Sequence, residues 1–134
     1  MSSENLDLVR SIVEAWERGD FSSLVPAHPE LEFVIPDGPD PGSWTGVAAI
    51  ADAMRARLAA WNEFRWTAEN YIRVDPERVL VLGRGGGRGK TSGLDVDQIG
   101  AERAILFHIR AGKVTRIVNY MDRRHAFADL GLEA

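Results

Sequence analysis

The hydrophobic pattern of this chain changes its period at about residue 64, and this change limits the folds open to the chain. Before it, apolar residues recur three and four positions apart, which is typical of one face of a helix. After it, apolar and polar residues alternate, which predicts strands at about 64–74, 78–88, 99–110 and 113–121. The first two and the last two strands are separated by short turns, which favours antiparallel hairpins. Helices gathered before a strand meander indicate an α+β domain.

The part before residue 64 predicts helices and one strand. The first helix has one apolar face, formed by Leu6, Val9, Ile12, Val13 and Trp16. A short helix over 21–25 follows, and residues 31–35 alternate as a strand that Pro36 ends. Thr45 can then cap a long helix. The apolar face of this helix carries Val47, Ile50, Met54, Leu58 and Trp61. A last short helix is expected at about 123–130, before Gly131.

Composition is typical of a single globular domain over residues 1–134, with 45% apolar and 27% charged residues. The formal charge of −4 argues against a basic surface for nucleic acid, so no nucleic-acid partner is expected. The absence of cysteine excludes disulfides and thiolate catalysis, and it favours a cytoplasmic location. No segment has the pattern of a signal peptide or the length of a membrane span, so no membrane partner is expected.

The segment "LGRGGGRGKTSG" at residues 82–93 ends like a phosphate-binding P-loop but does not fit that motif. The motif requires a glycine five positions before Gly89, and that position is Arg84. No amphipathic helix follows, although a P-loop binds phosphate at a helix N-terminus. We therefore interpret the segment as a strand that runs into a glycine-rich connection, where glycines permit bulges and curvature. No nucleotide or other cofactor is expected.

Five segments together carry a family pattern: "VEAWERGDFSSLV", "SWTGVAAIADAM", "VLVLGRGGGRGKTSG", "FHIRAGKVTRIVNYMDR" and "AFADLGL". In order and spacing they resemble the SnoaL-like branch of the nuclear transport factor two-like superfamily, over nearly the whole chain. The resemblance implies a cone-shaped, curved antiparallel sheet with the N-terminal helices packed on its concave face, enclosing a pocket. Members include steroid isomerases, polyketide cyclases, epoxide hydrolases, dehydratases and proteins without chemistry, so the fold alone does not give the function.

The resemblance also implies where a steroid isomerase would place its tyrosine and two aspartates. These positions fall on Ile12, Ile35 and about Ala104, and all three are apolar. The isomerase mechanism needs a base near the substrate carbon and donors facing the developing enolate. A steroid isomerase of the usual mechanism is therefore not expected.

Three residues are catalytic candidates. Asp37 directly follows the first strand, at the implied pocket mouth, and is the best acid–base candidate, although the pair Asp37 and Gly38 is typical of a simple turn, which is the favoured interpretation. Glu102 is a candidate general base or a solvated strand-end residue. His108 is a candidate acid or base or a half-exposed strand residue. Asp122 resembles an acidic position of polyketide cyclases, and a helix N-cap explains it equally well.

The candidate ligand contacts on the last two strands depend on which side chains face the pocket. If the isomerase's inward positions carry over, the inward residues are Glu102, Ala104, Leu106, His108, Ile117, Asn119 and Met121. The opposite phase turns Arg103 and Tyr120 to the pocket. Asn119 and Tyr120 are therefore both candidates for ligand binding.

Two tryptophans complete the candidate ligand site. Trp16 lies on the apolar face of the first helix, and Trp44 lies in a loop, where it could close over an apolar ligand. The remaining histidines, His28 and His125, have no evident carboxylate partner at metal-ligand spacing, so no metal site is expected.

The last two strands are apolar on both faces, which is unusual for a sheet with one solvated side. Because the N-terminal helices can cover one face only, the pattern predicts a homodimer through the sheet. Two functions stay open. The first is binding of a small, largely apolar molecule in a central pocket without chemistry. The second is a cofactor-free acid–base enzyme of the cyclase, isomerase or hydratase type. The side chains expected to face the pocket are mostly apolar, which favours binding without chemistry.

Overall fold

The computed structural model describes residues 2–18, 27–37, 41–58, 61–89 and 102–132. Its helices are α1 (Ser2–Glu17), α2 (Val47–Leu58) and α3 (Arg123–Leu130). Its strands are β1 (Ala27–Ile35), β2 (Gly42–Thr45), β3 (Trp61–Asp75), β4 (Arg78–Gly89), β5 (Glu102–Arg110) and β6 (Lys113–Tyr120). The segment 21–25, for which the sequence predicts a short helix, lies outside the described residues.

The strands form one sheet in the order β2-β1-β6-β5-β4-β3. The predicted hairpins are confirmed, because β3 pairs antiparallel with β4 and β5 pairs antiparallel with β6. One neighbouring pair, β1 and β6, runs parallel. The α+β class is therefore confirmed, with a mixed sheet in place of a wholly antiparallel one.

The glycine-rich segment is a strand up to Gly89, as its sequence predicts. Gly83 pairs with Ala68, and Gly85 pairs with Trp66, in the ladder between β3 and β4. This ladder shifts register at three points, which is where bulges bend a sheet. Residues 90–101 lie outside the described residues.

Helices α1 and α2 cover one face of the sheet, which we call the inner face. Phe33, Ile105 and Phe107 point from this face into a cluster with Trp16 of α1 and Ile50 of α2. Phe107 is completely buried. Burial of such a side chain contributes about 1.5–3 kcal/mol to folding, so this cluster fixes how the helices lie on the sheet.

The opposite face, which we call the outer face, is covered by α3. Leu80, Leu106 and Val118 pack there against Ala126 and Phe127 of α3. Helices therefore lie against both faces of the sheet, whereas the sequence argument for a homodimer assumes that helices cover only one. That premise is wrong, because the short C-terminal helix also packs on the sheet; the homodimer itself stays a prediction.

The sequence predicts which alternate side chains of the last two strands face the helices α1 and α2. That prediction is right for β6 and wrong for β5. Residues opposite each other in an antiparallel ladder share a face, and Asn119 lies opposite Ile105 of the inner cluster. Four β5 residues expected inside therefore belong to the outer face: Glu102, Ala104, Leu106 and His108. Tyr120 also lies on the outer face, beside Ala126 and Phe127.

Two boundaries of the long helix differ from the sequence prediction. Trp44 and Thr45 belong to β2, which pairs with β1 inside the segment expected to be a loop. Gly46, with φ of 94°, accepts the first helical hydrogen bond from Ile50, so Gly46 rather than Thr45 precedes α2. Trp61 begins β3 and does not continue the helix. The helical spacing of apolar residues thus continues in sequence to Trp61, although α2 ends at Leu58.

Candidate functional site

Three strands bring polar residues to one edge of the sheet. Parallel strands β1 and β6 end at the same edge, and β5 begins there because it runs antiparallel to β6. Asp37 follows β1, Met121 and Asp122 follow β6, and Glu102 opens β5. Residues from distant parts of the chain therefore lie together at this edge.

Asp37 is held by three hydrogen-bond partners. Its Oδ1 accepts from the backbone N–H of Met121 at 2.8 Å, and its Oδ2 accepts from that of Asp122 at 3.3 Å. Its Oδ2 also lies 3.0 Å from Nδ1 of His125. The Asp37 side chain is only 17% exposed. A carboxylate has about four lone-pair positions, so one on Oδ1 stays open while the orientation of the carboxylate is fixed.

His125 is flanked on its other side by a second carboxylate. Its Nε2 lies 3.5 Å from Oδ2 of Asp129, which is longer than an ordinary N–H to O hydrogen bond. The same oxygen accepts from the Tyr120 hydroxyl at 3.1 Å. Burial, followed by the hydrogen bond to Asp129, raises the pKa of Tyr120 to about 12, so the phenol stays a donor at neutral pH. The Tyr120 ring also meets His125 edge to face, with centroids 5.3 Å apart.

The start of α3 positions His125. Asp122 is the N-cap, and its side chain accepts from the backbone N–H of Arg124 at 2.9 Å. The Arg124 guanidinium also donates to Asp122, and these bonds hold the pKa of Asp122 below its usual value. Gly131 ends the helix with φ of 68°. The N-cap explanation of Asp122 is therefore confirmed. His125 lies on the first turn of α3, beside Asp37.

Arg123 attaches α3 to the sheet edge. Its guanidinium lies 2.7 Å from Oε1 of Glu69 and 3.3 Å from Oε2 of Glu102, and it donates to the carbonyl of Gly83 at 3.1 Å. The hydrogen bonds from Arg123 and then Arg84 lower the pKa of Glu69. The Nε of Arg123 is buried and has no hydrogen-bond partner. Glu102 is thus a partner in an ion-pair network at the strand end.

A cleft of about 630 Å³ lies over this edge. Asp37, His125, Glu102, Arg123 and Met121 line it, together with Asp122 and Arg124. The cleft combines a carboxylate–imidazole pair with a guanidinium and one apolar side chain. It can therefore hold a small molecule that presents an oxygen to the polar groups while proton transfer takes place.

The structure brings two of the three catalytic candidates, Asp37 and Glu102, to the cleft. His108 lies toward the opposite end of β5, where it faces Arg78 and Arg116 on the neighbouring strands. Burial and then Arg116 and Arg78 lower the pKa of His108. His108 therefore lies away from the cleft and does not line it.

The ligand-contact candidates Trp16, Trp44 and Asn119 lie on the inner side of the sheet. Trp16 is 4% exposed and packs on Phe107 with ring centroids 5.7 Å apart, and its Nε1 has no hydrogen-bond partner. The Asn119 Oδ1 is also buried without a partner. Trp44 is half-buried on β2 beside Phe33, with ring centroids 6.2 Å apart. Tyr120 lies on the other face and contacts α3.

Sequence reasoning missed His125 and Arg123. The hydrogen-bond partner of His125, Asp37, lies 88 positions earlier in the chain, so local spacing cannot reveal the pair. One local signal was present, since His125 and Asp129 are four residues apart and share a helix face. Arg123 gave no such signal, because its contacts lie on β3, β4 and β5.

Two other kinds of site are absent from the described residues. No group of three or more His, Cys, Asp or Glu side chains could hold a metal ion in the part of the chain that the structure describes. Among the same residues, no helix has the length and apolar character needed to cross a membrane.

The family model of the SnoaL-like domain matches residues 9–117, and the chain therefore belongs to the SnoaL-like family. The fold is shared with a nuclear transport factor two-like protein of unknown function from Burkholderia pseudomallei. That pair has a TM-score of 0.74 at 20% identity, over 93% of this chain and 95% of the other. Among curated protein sequences, none matches.

Two further solved structures share the fold. TerC, crystallised with polyporic acid, has a TM-score of 0.73 at 22% identity over 95% of this chain and 97% of TerC. A candidate polyketide cyclase from Xanthomonas campestris has a TM-score of 0.65 at 22% identity, over 96% and 98% of the two chains. At these identities the likeness shows the fold.

Proposed function

We propose that the protein is a cofactor-independent acid–base enzyme of the cyclase, isomerase or hydratase type, acting on a small carbonyl compound in the cleft. The observation that carries this proposal is the pair formed by Asp37 and His125, 3.0 Å apart at the cleft. An imidazole oriented by a fixed carboxylate is a recurrent arrangement for proton transfer. The proposal also agrees with the candidate polyketide cyclase among the structures of the same fold.

His125 is the acid–base group in this proposal, and Asp37 is its positioning residue. Asp37 accepts from Nδ1–H, which leaves the Nε2 lone pair free to take a proton. The backbone N–H groups of Met121 and Asp122 hold Asp37 in the orientation that this requires. Once the ring is protonated, the Asp129 carboxylate, 3.5 Å from Nε2, stabilises the imidazolium by its charge.

The reaction begins with proton abstraction next to the substrate carbonyl. The C–H proton goes to Nε2 of His125, the electron pair of that bond forms the carbon–carbon double bond of an enolate, and the carbonyl π pair moves to the oxygen. Arg123 supplies positive charge at the cleft for this oxygen. Return of the proton at a conjugated carbon completes an isomerisation. In a cyclisation, the enolate carbon attacks a second carbonyl, and the alkoxide formed takes the proton back from His125.

Deuterium uptake tests this proposal without knowledge of the product. The protein is incubated in D₂O with steroid ketones, polyketide-like aromatics and terpenoid ketones, and exchange next to each carbonyl is followed by mass spectrometry. We expect exchange for at least one class, reduced about a hundredfold or more by His125→Gln and by Asp37→Asn. Asp52→Asn is the matched control, because Asp52 is 74% exposed on α2. Equal exchange by wild type and His125→Gln would overturn the proposal.

A second candidate function is binding of a small, largely apolar ligand between the helices and the inner face, without chemistry. Two buried polar atoms favour it, the Trp16 Nε1 donor and the Asn119 Oδ1 acceptor, neither of which has a partner. Each unpaired buried polar group costs about 1–3 kcal/mol, and a ligand with one acceptor and one donor recovers that cost. Because both atoms are shielded from solvent, the ligand has to displace packed side chains to reach them.

Thermal-shift screening with the same compounds tests the binding function. A ligand specific for the folded state raises the melting temperature by mass action. We expect this rise to vanish in Asn119→Leu if the ligand sits on the inner face. A rise that is lost in Asp37→Asn but kept in Asn119→Leu would place the ligand in the cleft instead.

Dimerisation and location stay predictions. A homodimer through the sheet now has to use the part of the outer face that α3 leaves open, or displace α3. Light scattering at micromolar concentration tests it, and a monomeric mass would contradict it. The cytoplasmic location is tested by fractionating cells that make the protein.

A further inference from the structure

A row of charged side chains crosses the outer face away from α3. It runs over neighbouring strands through Asp75 of β3, Arg78 of β4, His108 of β5, Arg116 of β6 and Glu32 of β1. We call it the outer row. Its centre consists of three nitrogen-bearing side chains directly opposite one another, and its two ends are carboxylates.

The centre of the outer row is unfavourable by itself. Like charges on neighbouring strands destabilise a sheet, and here a guanidinium lies on each side of His108, so protonation of this ring would place three positive charges side by side. The result is visible in His108, where burial first, and then Arg116 and Arg78, lower the pKa. An anion bound over the three side chains would offset this unfavourable placement of positive charge.

The two end carboxylates hold the arginines without using all their donors. Asp75 Oδ2 lies 2.7 Å from Nε of Arg78, and Glu32 Oε1 lies 3.1 Å from Nε of Arg116. Within the described residues, the terminal amino groups of both guanidiniums and the ring nitrogens of His108 make no hydrogen bond. Both arginines are partly exposed, at 34% and 44% of the side chain, so these donors are open to solutes.

The spacing of the row suits one oxyanion. Adjacent strands lie about 4.8 Å apart, so the Cα atoms of Arg78 and Arg116 are separated by about 10 Å across His108. Two arginine side chains can converge over that distance, and guanidinium groups match the paired oxygens of phosphate and carboxylate. The neutral His108 adds one N–H donor between them.

We propose that Arg78, His108 and Arg116 form a binding site for the phosphate or carboxylate group of a small molecule, separate from the cleft at the other end of the sheet. The bound anion stabilises the charged form of His108 and connects the two arginines. This site does not depend on the proposed enzyme activity.

The test uses inorganic phosphate and acetate as probes, each against chloride at equal ionic strength. Two-dimensional NMR of the histidine rings follows the titration of His108. We expect a bound oxyanion to raise the pH midpoint of His108, since an anion favours the imidazolium. We also expect Arg78→Gln and Arg116→Gln each to weaken binding about tenfold. Arg55→Gln is the control, because Arg55 is 73% exposed on α2, and it should leave binding unchanged.

The possible outcomes separate the ligand classes. A response to both probes supports a general oxyanion site, and a response to phosphate alone supports a phosphate site. An unchanged His108 midpoint with both probes would overturn the proposal. Equal weakening by Arg55→Gln would also overturn it, because that result indicates nonspecific charge screening.

Discussion

Asp37 and His125 lie 88 positions apart in the chain, yet the carboxylate Oδ2 of one is 3.0 Å from the imidazole Nδ1 of the other. The parallel pairing of β1 with β6 brings them together, because both strands end at the edge where α3 begins. The pair therefore has two effects. It attaches the first turn of α3 to β1, and it fixes an imidazole in a cleft.

Asp37→Asn should destabilise the protein. The substitution removes the charged acceptor of three donors, and hydrogen bonds to charged groups contribute about 1.5–3 kcal/mol each before relaxation. We expect a loss of about 2 kcal/mol in the free energy of unfolding in urea. Asp52→Asn, on an exposed ion pair, should change it by less than about 0.5 kcal/mol. Equal stability of the two variants would show that Asp37 does not anchor α3.

Arg123→Gln should loosen α3. The Arg123 side chain is 19% exposed and bridges Glu69, Glu102 and the Gly83 carbonyl. We expect faster hydrogen exchange in α3 and a loss of about 1–3 kcal/mol. Arg110→Gln is the control, because Arg110 is 81% exposed and its carboxylate partner is 3.9 Å away. Unchanged exchange in α3 would contradict the role of Arg123.

Stability should fall as the pH is lowered below about 6.5, in part because of His108. Burial and then Arg116 and Arg78 lower the pKa of His108 in the folded protein. The unfolded chain therefore takes up this proton at a higher pH than the folded protein does, and the free energy of unfolding decreases as the pH passes from about 6.5 through the folded pKa. His108→Gln should remove this part of the pH dependence in urea titrations. An unchanged slope would show that His108 is not responsible.

Asn119→Leu distinguishes a binding function from a purely structural one. If Asn119 only packs, replacing its side chain, whose Oδ1 is buried without a partner, by an apolar group of similar size should stabilise the protein by about 1 kcal/mol. If Asn119 binds a ligand, the same change should also abolish ligand-induced thermal shifts. Destabilisation by Asn119→Leu would mean that the amide has a stabilising contact in solution.

The period of the apolar residues predicted most of the fold. Ile105 and Phe107 alternate with Ala104 and Leu106, which identifies β5, but both sets are apolar, so the pattern could not decide which set faces α1. The structure decides this through α3, whose Phe127 buries the outer set. The sequence does not predict β2, because a strand of four residues is too short to show a clear alternation of apolar and polar residues.

The sequence predicts only those residues of the candidate site that stand out from their neighbours in the chain. Asp37 stands out because it follows a strand, and Glu102 stands out because it opens one. His125 does not, because its role depends on the parallel register between β1 and β6. His108 was misplaced for a related reason: its phase depends on the pairing with Arg116, and the alternation alone does not determine that pairing.

The tautomer of His125 decides whether Asp37 orients this ring for proton transfer. Nitrogen-15 NMR of the neutral ring distinguishes a proton on Nδ1 from one on Nε2, and the partner of each nitrogen decides which form is present. We expect the Nδ1–H form in the wild-type protein, donating to Asp37, and loss of that preference in Asp37→Asn. An Nε2–H ring in the wild type, unchanged by Asp37→Asn, would contradict this expectation.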